Sequence, residues 1–116
     1  MRIRQFEIWI ANLNPQKGTE PGKVRPVLVV QTNLLNRIEF PSTIVCPITS
    51  NVLKNYEGIL RVNINQPIGR LQKESAILID QVRAIDNVRL IEKLGVLPDN
   101  LALKVKENLK IVMDLE

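Results

Sequence analysis

Apolar positions recur along this chain with two different periods. Near the start, Phe6, Ile8 and Ile10 alternate with Glu7, Trp9 and Ala11, the two-residue period of a strand. Trp9 reads as a core residue of that strand, and Asn14-Pro15 ends it. A second strand is predicted over about Val24–Gln31. Its centre, Val27-Leu-Val-Val30, carries no polar residue, so it reads as a central strand covered on both faces. Thr32 to Arg37 makes one helical turn. Further strands follow at Ser42–Ile48, Ile59–Ile64, Ser75–Ile85 and Glu92–Leu97. Pro47 marks a bulge or an edge in the third of these six, because proline donates nothing to a ladder. After Pro98 the period changes. Leu101, Val105, Leu109 and Val112 fall at i, i+4, i+8 and i+11, the apolar stripe of a helix, with Asp99 as its N-cap. That helix lies on the sheet or on a second subunit.

Five to six short strands at regular spacing, then one helix, predict a mainly β fold: a small barrel or strongly coiled sheet with a C-terminal α-helix. At 116 residues the chain forms one domain, 1–116, long enough to bury a core without staples. No apolar run approaches the roughly 20 residues needed to span a bilayer, so no membrane association is expected. The N-terminus has charges but no apolar h-region, so no secretory signal is expected. A lone Cys46 among apolar neighbours reads as a core thiol in a reducing compartment, and the expected location is cytoplasmic.

Charge and composition narrow the chemistry. A net charge of +4 suits a nucleic-acid partner without demanding one. The absence of histidine leaves carboxylates, Arg, Lys and Tyr for acid–base work. With one cysteine besides, no zinc site is expected. Asp80 and Asp86, with no further ligand cluster, read as structural or salt-bridging carboxylates, and neither a metal nor another cofactor is expected. Aromatic residues at 3% argue against a base-stacking platform.

The polar residues that remain gather at a few places. Gly18 and Gly22 let the loop before the second strand bend, and that loop carries Thr19, Glu20 and Lys23. It feeds Arg25, which Pro26 restricts to an extended conformation at the strand entrance. Taken singly, Arg25 reads as a surface arginine, Glu20 as a solvated carboxylate, and Thr49-Ser50 as turn hydroxyls after the third strand. In the fifth strand a period of two puts Gln81 and Arg83 on one face with Ile77, Ile79 and Ile85. They read either as partners of neighbouring strands or as a polar floor that meets a ligand.

The ordered set is more specific than its parts. Glu7-Ile-Trp-Ile-Ala-Asn-Leu-Asn-Pro15, Lys17-Gly-Thr-Glu20 and Val24-Arg-Pro-Val-Leu-Val-Val30 come first. Thr43-Ile-Val-Cys-Pro-Ile-Thr-Ser50, Glu74-Ser75, Ile79-Asp-Gln-Val-Arg-Ala-Ile-Asp86 and Arg89-Leu90 follow. This set resembles the MazF/PemK family of toxin endoribonucleases over nearly the whole chain. The resemblance implies an SH3-like barrel assembled as a homodimer, cleaving single-stranded RNA at short sequences without a metal. It also implies a MazE-like antitoxin that lays an acidic, extended segment across the site. By motif, the catalytic arginine falls on Arg25, the active-site threonine on Thr49 with Ser50 beside it, the loop glutamate on Glu20, and the glutamine of Asp-Gln-Val-Arg on Gln81. Some relatives use a histidine in the first loop; this chain has none.

These residues fit attack by the RNA 2′-OH on its own phosphate, giving a 2′,3′-cyclic phosphate and a 5′-OH. Arg25 neutralises the phosphorane, Thr49 and Ser50 hold the phosphate, and Glu20 serves as general base. The leaving oxygen takes its proton from Arg25 or from water; an arginine pKa above about 12 makes the first a reluctant donor. Gln81 and Arg83 position RNA, and the loops at 15–23, with Thr19 and Lys23, and at 50–57 meet splayed bases. Two alternatives stand beside this reading: a non-catalytic gyrase-poisoning toxin of the same barrel class, and a basic SH3-like module that binds RNA or protein without cutting.

Overall fold

The computed structural model describes residues 2–14, 18, 23–52 and 60–115. Among them run β1 (Glu7–Asn12), β2 (Val24–Val29), α1 (Asn33–Arg37), β3 (Ser42–Thr49), β4 (Arg61–Ile64), β5 (Ser75–Leu78), β6 (Arg83–Asp86), β7 (Leu90–Val96) and α2 (Asp99–Val112). The sheet is antiparallel, in the order β4-β5-β3-β2-β1-β7, with β6 also paired to β3. It coils into an SH3-like barrel that, among the described residues, is not closed by strand pairing.

β2 is the central strand its apolar run predicts, with Val27, Leu28 and Val29 fully buried. Successive side chains enter two cores. Leu28 packs with Ile8, Cys46, Ile48 and Ile77, whereas Val27 and Val29 join Trp9, Leu13 and Val45. β1 departs from simple alternation because it too is buried on both faces, even at Glu7. The Glu7 carboxylate accepts from the Arg4 backbone N–H at 2.9 Å and from Trp9 Nε1 at 3.0 Å. It also meets Lys93 Nζ at 2.9 Å. Burial alone raises its pKa; the hydrogen bonds and the Lys93 charge outweigh that and hold it below the ordinary value.

Three sequence expectations change. The predicted fifth strand is two strands, β5 and β6, separated by a 3-10 turn over Ile79–Gln81, so the described residues hold seven strands rather than five or six. Pro47 marks neither bulge nor edge, since it sits in register opposite Val27. Ile44 accepts from Val30 and Gln31 on the β2 side, so alternation turns the Pro47 nitrogen to the other side. There the neighbour changes from β6, paired up to Val45, to β5, paired from Ile48. A missing donor costs little in that gap. Finally, Asp99 is the first helical residue and Pro98 the cap, without a side-chain cap bond. Asp99 still favours the positive helix start.

α2 lies on its own sheet. Val105 is fully buried, Ala102 and Leu97 nearly so, and the stripe residues Leu101, Leu109 and Val112 pack at the margin of the same core. A second closing device was not foreseen. Between β4 and β5 the chain forms a tight hairpin in which Ile68 and Leu71 exchange both backbone hydrogen bonds, at 2.9 and 2.8 Å. The Arg70 N–H donates to the Leu94 carbonyl of β7 at 2.9 Å. The hairpin thus bridges the two ends of the open sheet. Gly69 has φ +54, and a Cβ there would stand 2.2 Å from the Leu94 oxygen, so only glycine fits so close to β7.

Candidate active site

The strand register brings Arg25 and Thr49 together. Val27 pairs with Pro47, and continuing that antiparallel register by two residues sets Arg25 opposite Thr49. Both line a cleft of about 670 Å³, together with Lys23 and Ser50. Arg25 is half-buried on β2, opposite Ala11 of β1. Thr49 Oγ1 accepts from the Asn51 N–H at 3.1 Å, which fixes the hydroxyl while leaving its proton to donate. Ser50 beside it is exposed.

The stem of the loop before β2 is held firmly. Lys23 adopts φ +68. Its N–H donates to Asn14 Oδ1 at 2.7 Å, and its carbonyl accepts from Leu13 at 2.8 Å. Arg89 Nη1 donates to the carbonyls of Asn12 at 3.0 Å and Asn14 at 2.5 Å. Both ends of the segment carrying Thr19 and Glu20 are therefore tied at the cleft. Thr19 and Glu20 themselves, and most of the 50–57 loop, lie outside the described residues.

The opposite wall was missed from sequence. It is the hairpin and its exit: Arg70, Gln72, Lys73 and the buried Ser75. Ser75 Oγ donates to the Lys73 carbonyl at 2.9 Å, and Gln72 Nε2 to the Gly69 carbonyl at 2.7 Å. The available signal was Gly69 followed by Arg70 and Lys73, a second glycine-hinged basic turn that pattern alone reads as a connector. Among the described lining residues, Lys23, Arg25, Arg70 and Lys73 face a single carboxylate, Glu92. Such a cleft attracts an anion, and its guanidinium and hydroxyl donors match phosphate oxygens.

Gln81 and Arg83 do not line this cleft. The 3-10 turn breaks the period of two that placed them on one strand face. Gln81 belongs to the turn, while Arg83 sits on β6 opposite Val45. Val45 is four residues from Thr49 along β3, roughly 13 Å at about 3.3 Å per residue. Asp80 and Asp86 are both exposed, one in the turn and one at the end of β6. Among the described residues no group of three or more His, Cys, Asp and Glu side chains is arranged to hold a metal ion. No helix of the described residues is long and apolar enough to cross a membrane. Cys46 is fully buried, and burial, with Asp80 adding to it, pushes its thiol up to about 12.

Fold and site together define a small barrel-like β protein with a basic, hydroxyl-bearing cleft at the ends of its central strands. The family model described as "PemK-like, MazF-like toxin of type II toxin-antitoxin system" matches residues 4–113. Endoribonuclease EndoA of Bacillus subtilis (strain 168) is 36% identical over 115 residues, covering 99% of this chain and 97% of that protein. Among solved structures, the Mycobacterium tuberculosis toxin MazF-mt6 superposes with a TM-score of 0.75 at 25% identity, over 95% of this chain and 98% of the other. MazF from Deinococcus radiodurans does so with a TM-score of 0.81 at 24% identity, over 99% of both. The chain belongs to the PemK-like, MazF-like family of type II toxins.

Proposed function

We propose that this chain is the toxin of a type II toxin–antitoxin pair and a metal-independent, sequence-specific endoribonuclease acting on single-stranded RNA. The observation that carries the reading is that Arg25 of β2 and Thr49 of the adjacent β3 line one basic cleft. Family membership and the name of the Bacillus subtilis relative support the same activity.

In this mechanism the scissile phosphate enters between Arg25 and Thr49. Glu20 takes the proton of the 2′-OH, which attacks phosphorus. Arg25 bears the charge of the phosphorane, and Thr49 and Ser50 donate to its oxygens. The 5′-oxygen leaves, taking a proton from water or from Arg25. Lys23 and Thr19 hold the strand as it enters, and Gln81 and Arg83 meet it beyond the cleft, along the line of β3. The whole chain works as one domain and assembles as a homodimer. Its antitoxin covers the cleft with an extended acidic segment, for which four cations against one carboxylate among the described lining residues offer a matching surface. The cytoplasm is its place of action, where its RNA substrate is found and where a single buried thiol is ordinary.

The test is incubation with long single-stranded RNA in EDTA, wild type beside Arg25→Ala, with both fragment ends mapped. Cuts at a short recurring sequence, bearing 5′-OH ends and absent with the variant, are expected. Uncut RNA across several sequences and a wide concentration range would overturn the reading in favour of a protein- or RNA-binding module.

A further inference from the structure

The cleft holds a carboxylate where an anionic polymer should meet only cations. Glu92 lies on β7, opposite Ile10 of β1, which in turn faces Pro26 of β2. Two strand spacings, about 10 Å, separate Glu92 from Pro26, the neighbour of Arg25. One nucleotide covers that distance. Ile10 lies between them in the register, and Pro26, Ile48, Leu71 and Leu94 add apolar surface to the lining of the same cleft. A floor of this kind suits the face of a base rather than a phosphate.

Arg70 Nη1 contacts Glu92 Oε2 at 3.3 Å across an exposed rim. That pair is not what docks the hairpin. The Arg70 backbone N–H already donates to Leu94, and Arg70 Nη2 donates to the Lys93 carbonyl. An exposed ion pair adds little stability besides. What the contact does is set a guanidinium beside one oxygen of the carboxylate. A carboxylate has about four lone-pair sites, so acceptor capacity remains for a ligand.

Resting on the ribonuclease reading above, we infer that Glu92 is a specificity-determining residue, and that Arg70 is the positioning residue that aims it. The base next to the scissile phosphate lies splayed on the apolar floor and presents its Watson–Crick edge to Glu92. Guanine gives a two-point match, its N1–H and N2–H each donating to one carboxylate oxygen. Cytosine and adenine each set a lone pair against the second oxygen, and uracil flanks its one N–H with two carbonyls. Lys23 and Lys73 hold the flanking phosphates.

The experiment uses the full-length protein and short RNAs made uncleavable by a 2′-deoxy scissile nucleotide, varied one position at a time and read by fluorescence anisotropy. Cut sites on a long RNA are mapped in parallel. The wild type selects guanine at one position beside the cut by roughly tenfold or more over the other bases. Glu92→Gln loses most of that selection at that position alone. Arg70→Ala loosens it and Arg70→Lys restores part of it, whereas a merely structural role would lower binding to all four RNAs alike. Inosine in place of guanine binds more weakly, because it lacks the second donor. Equal selection by wild type and Glu92→Gln, or no position selecting guanine, overturns this inference while cleavage stands. Absence of both cleavage and binding by the wild type overturns the ribonuclease reading, and this inference with it.

Discussion

In the proposed mechanism the task of Arg25 is geometric as well as electrostatic. A lysine there keeps the charge but loses the planar fork that spans two phosphate oxygens. Arg25→Lys should therefore lower kcat by about a hundredfold or more, within the range seen when one charge-stabilising donor is removed. Single-turnover cleavage of a fixed RNA measures this, and a loss under tenfold would mean that charge alone suffices. Cys46 makes the opposite case. It is fully buried, and its thiol is pushed up to about 12. It should react with a thiol reagent only as fast as the folded state opens, and at the ordinary rate in denaturant. Fast labelling of the native protein would contradict the packing described. At this scale much of the site was legible. Arg25 and Thr49, which singly read as a surface arginine and a turn hydroxyl, stand out only through their place in the ordered family motif, and the structure lines one cleft with both. Arg70, Lys73 and Glu92 did not, because their place in the cleft depends on a hairpin meeting β7, a contact between residues more than twenty positions apart.

Among the elements, the hairpin at Ile68–Leu71 sets the tightest steric demand. Gly69→Ala would combine a left-handed backbone with a Cβ 2.2 Å from the Leu94 oxygen. The conformational penalty alone is about 1 kcal/mol, and the clash requires the hairpin to shift off β7. A loss of roughly 2 kcal/mol or more in urea unfolding is expected. A change below 0.5 kcal/mol would show that the hairpin is not clamped. Gly95→Ala should be milder, because its Cβ would meet the Ile68 side chain and carbonyl oxygen no closer than 3.2 Å and its backbone is not left-handed. Elements with a clear period were legible: β2 from its apolar run, α2 from its stripe. The break between β5 and β6 was not. Ile79-Asp-Gln-Val-Arg contains no glycine or proline to mark a turn. The turn is imposed by tertiary structure, since β3 must pair with β5 at one end and β6 at the other. Pro47 misled for the same reason, its tolerance arising from a gap between two partners that no local pattern encodes.

For the molecule as a whole, Glu7 joins the N-terminal segment, β1 and β7 through Arg4, Trp9 and Lys93. Its pKa lies below the ordinary 4.5 when folded. The unfolded chain therefore binds this proton more readily, and the group's contribution to stability is full above about pH 5. It is lost as pH falls through the lowered folded value. Melting temperature measured from pH 7 to pH 3 should fall for the wild type and fall less steeply for Glu7→Gln, which starts lower. Parallel curves would show that other carboxylates govern acid unfolding. The hairpin has a different consequence at this scale. One short segment both completes the barrel and walls the cleft, yet its two duties fall on different atoms: Gly69 and the backbone amides of Ile68, Arg70 and Leu71 close the fold, while the exposed side chain of Lys73 lines the cleft. A lineage can exchange that one side chain, and with it part of the charge of the cleft, without disturbing the contacts that close the fold. The same separation makes position 73 the natural place to retune how strongly the cleft holds an anionic strand.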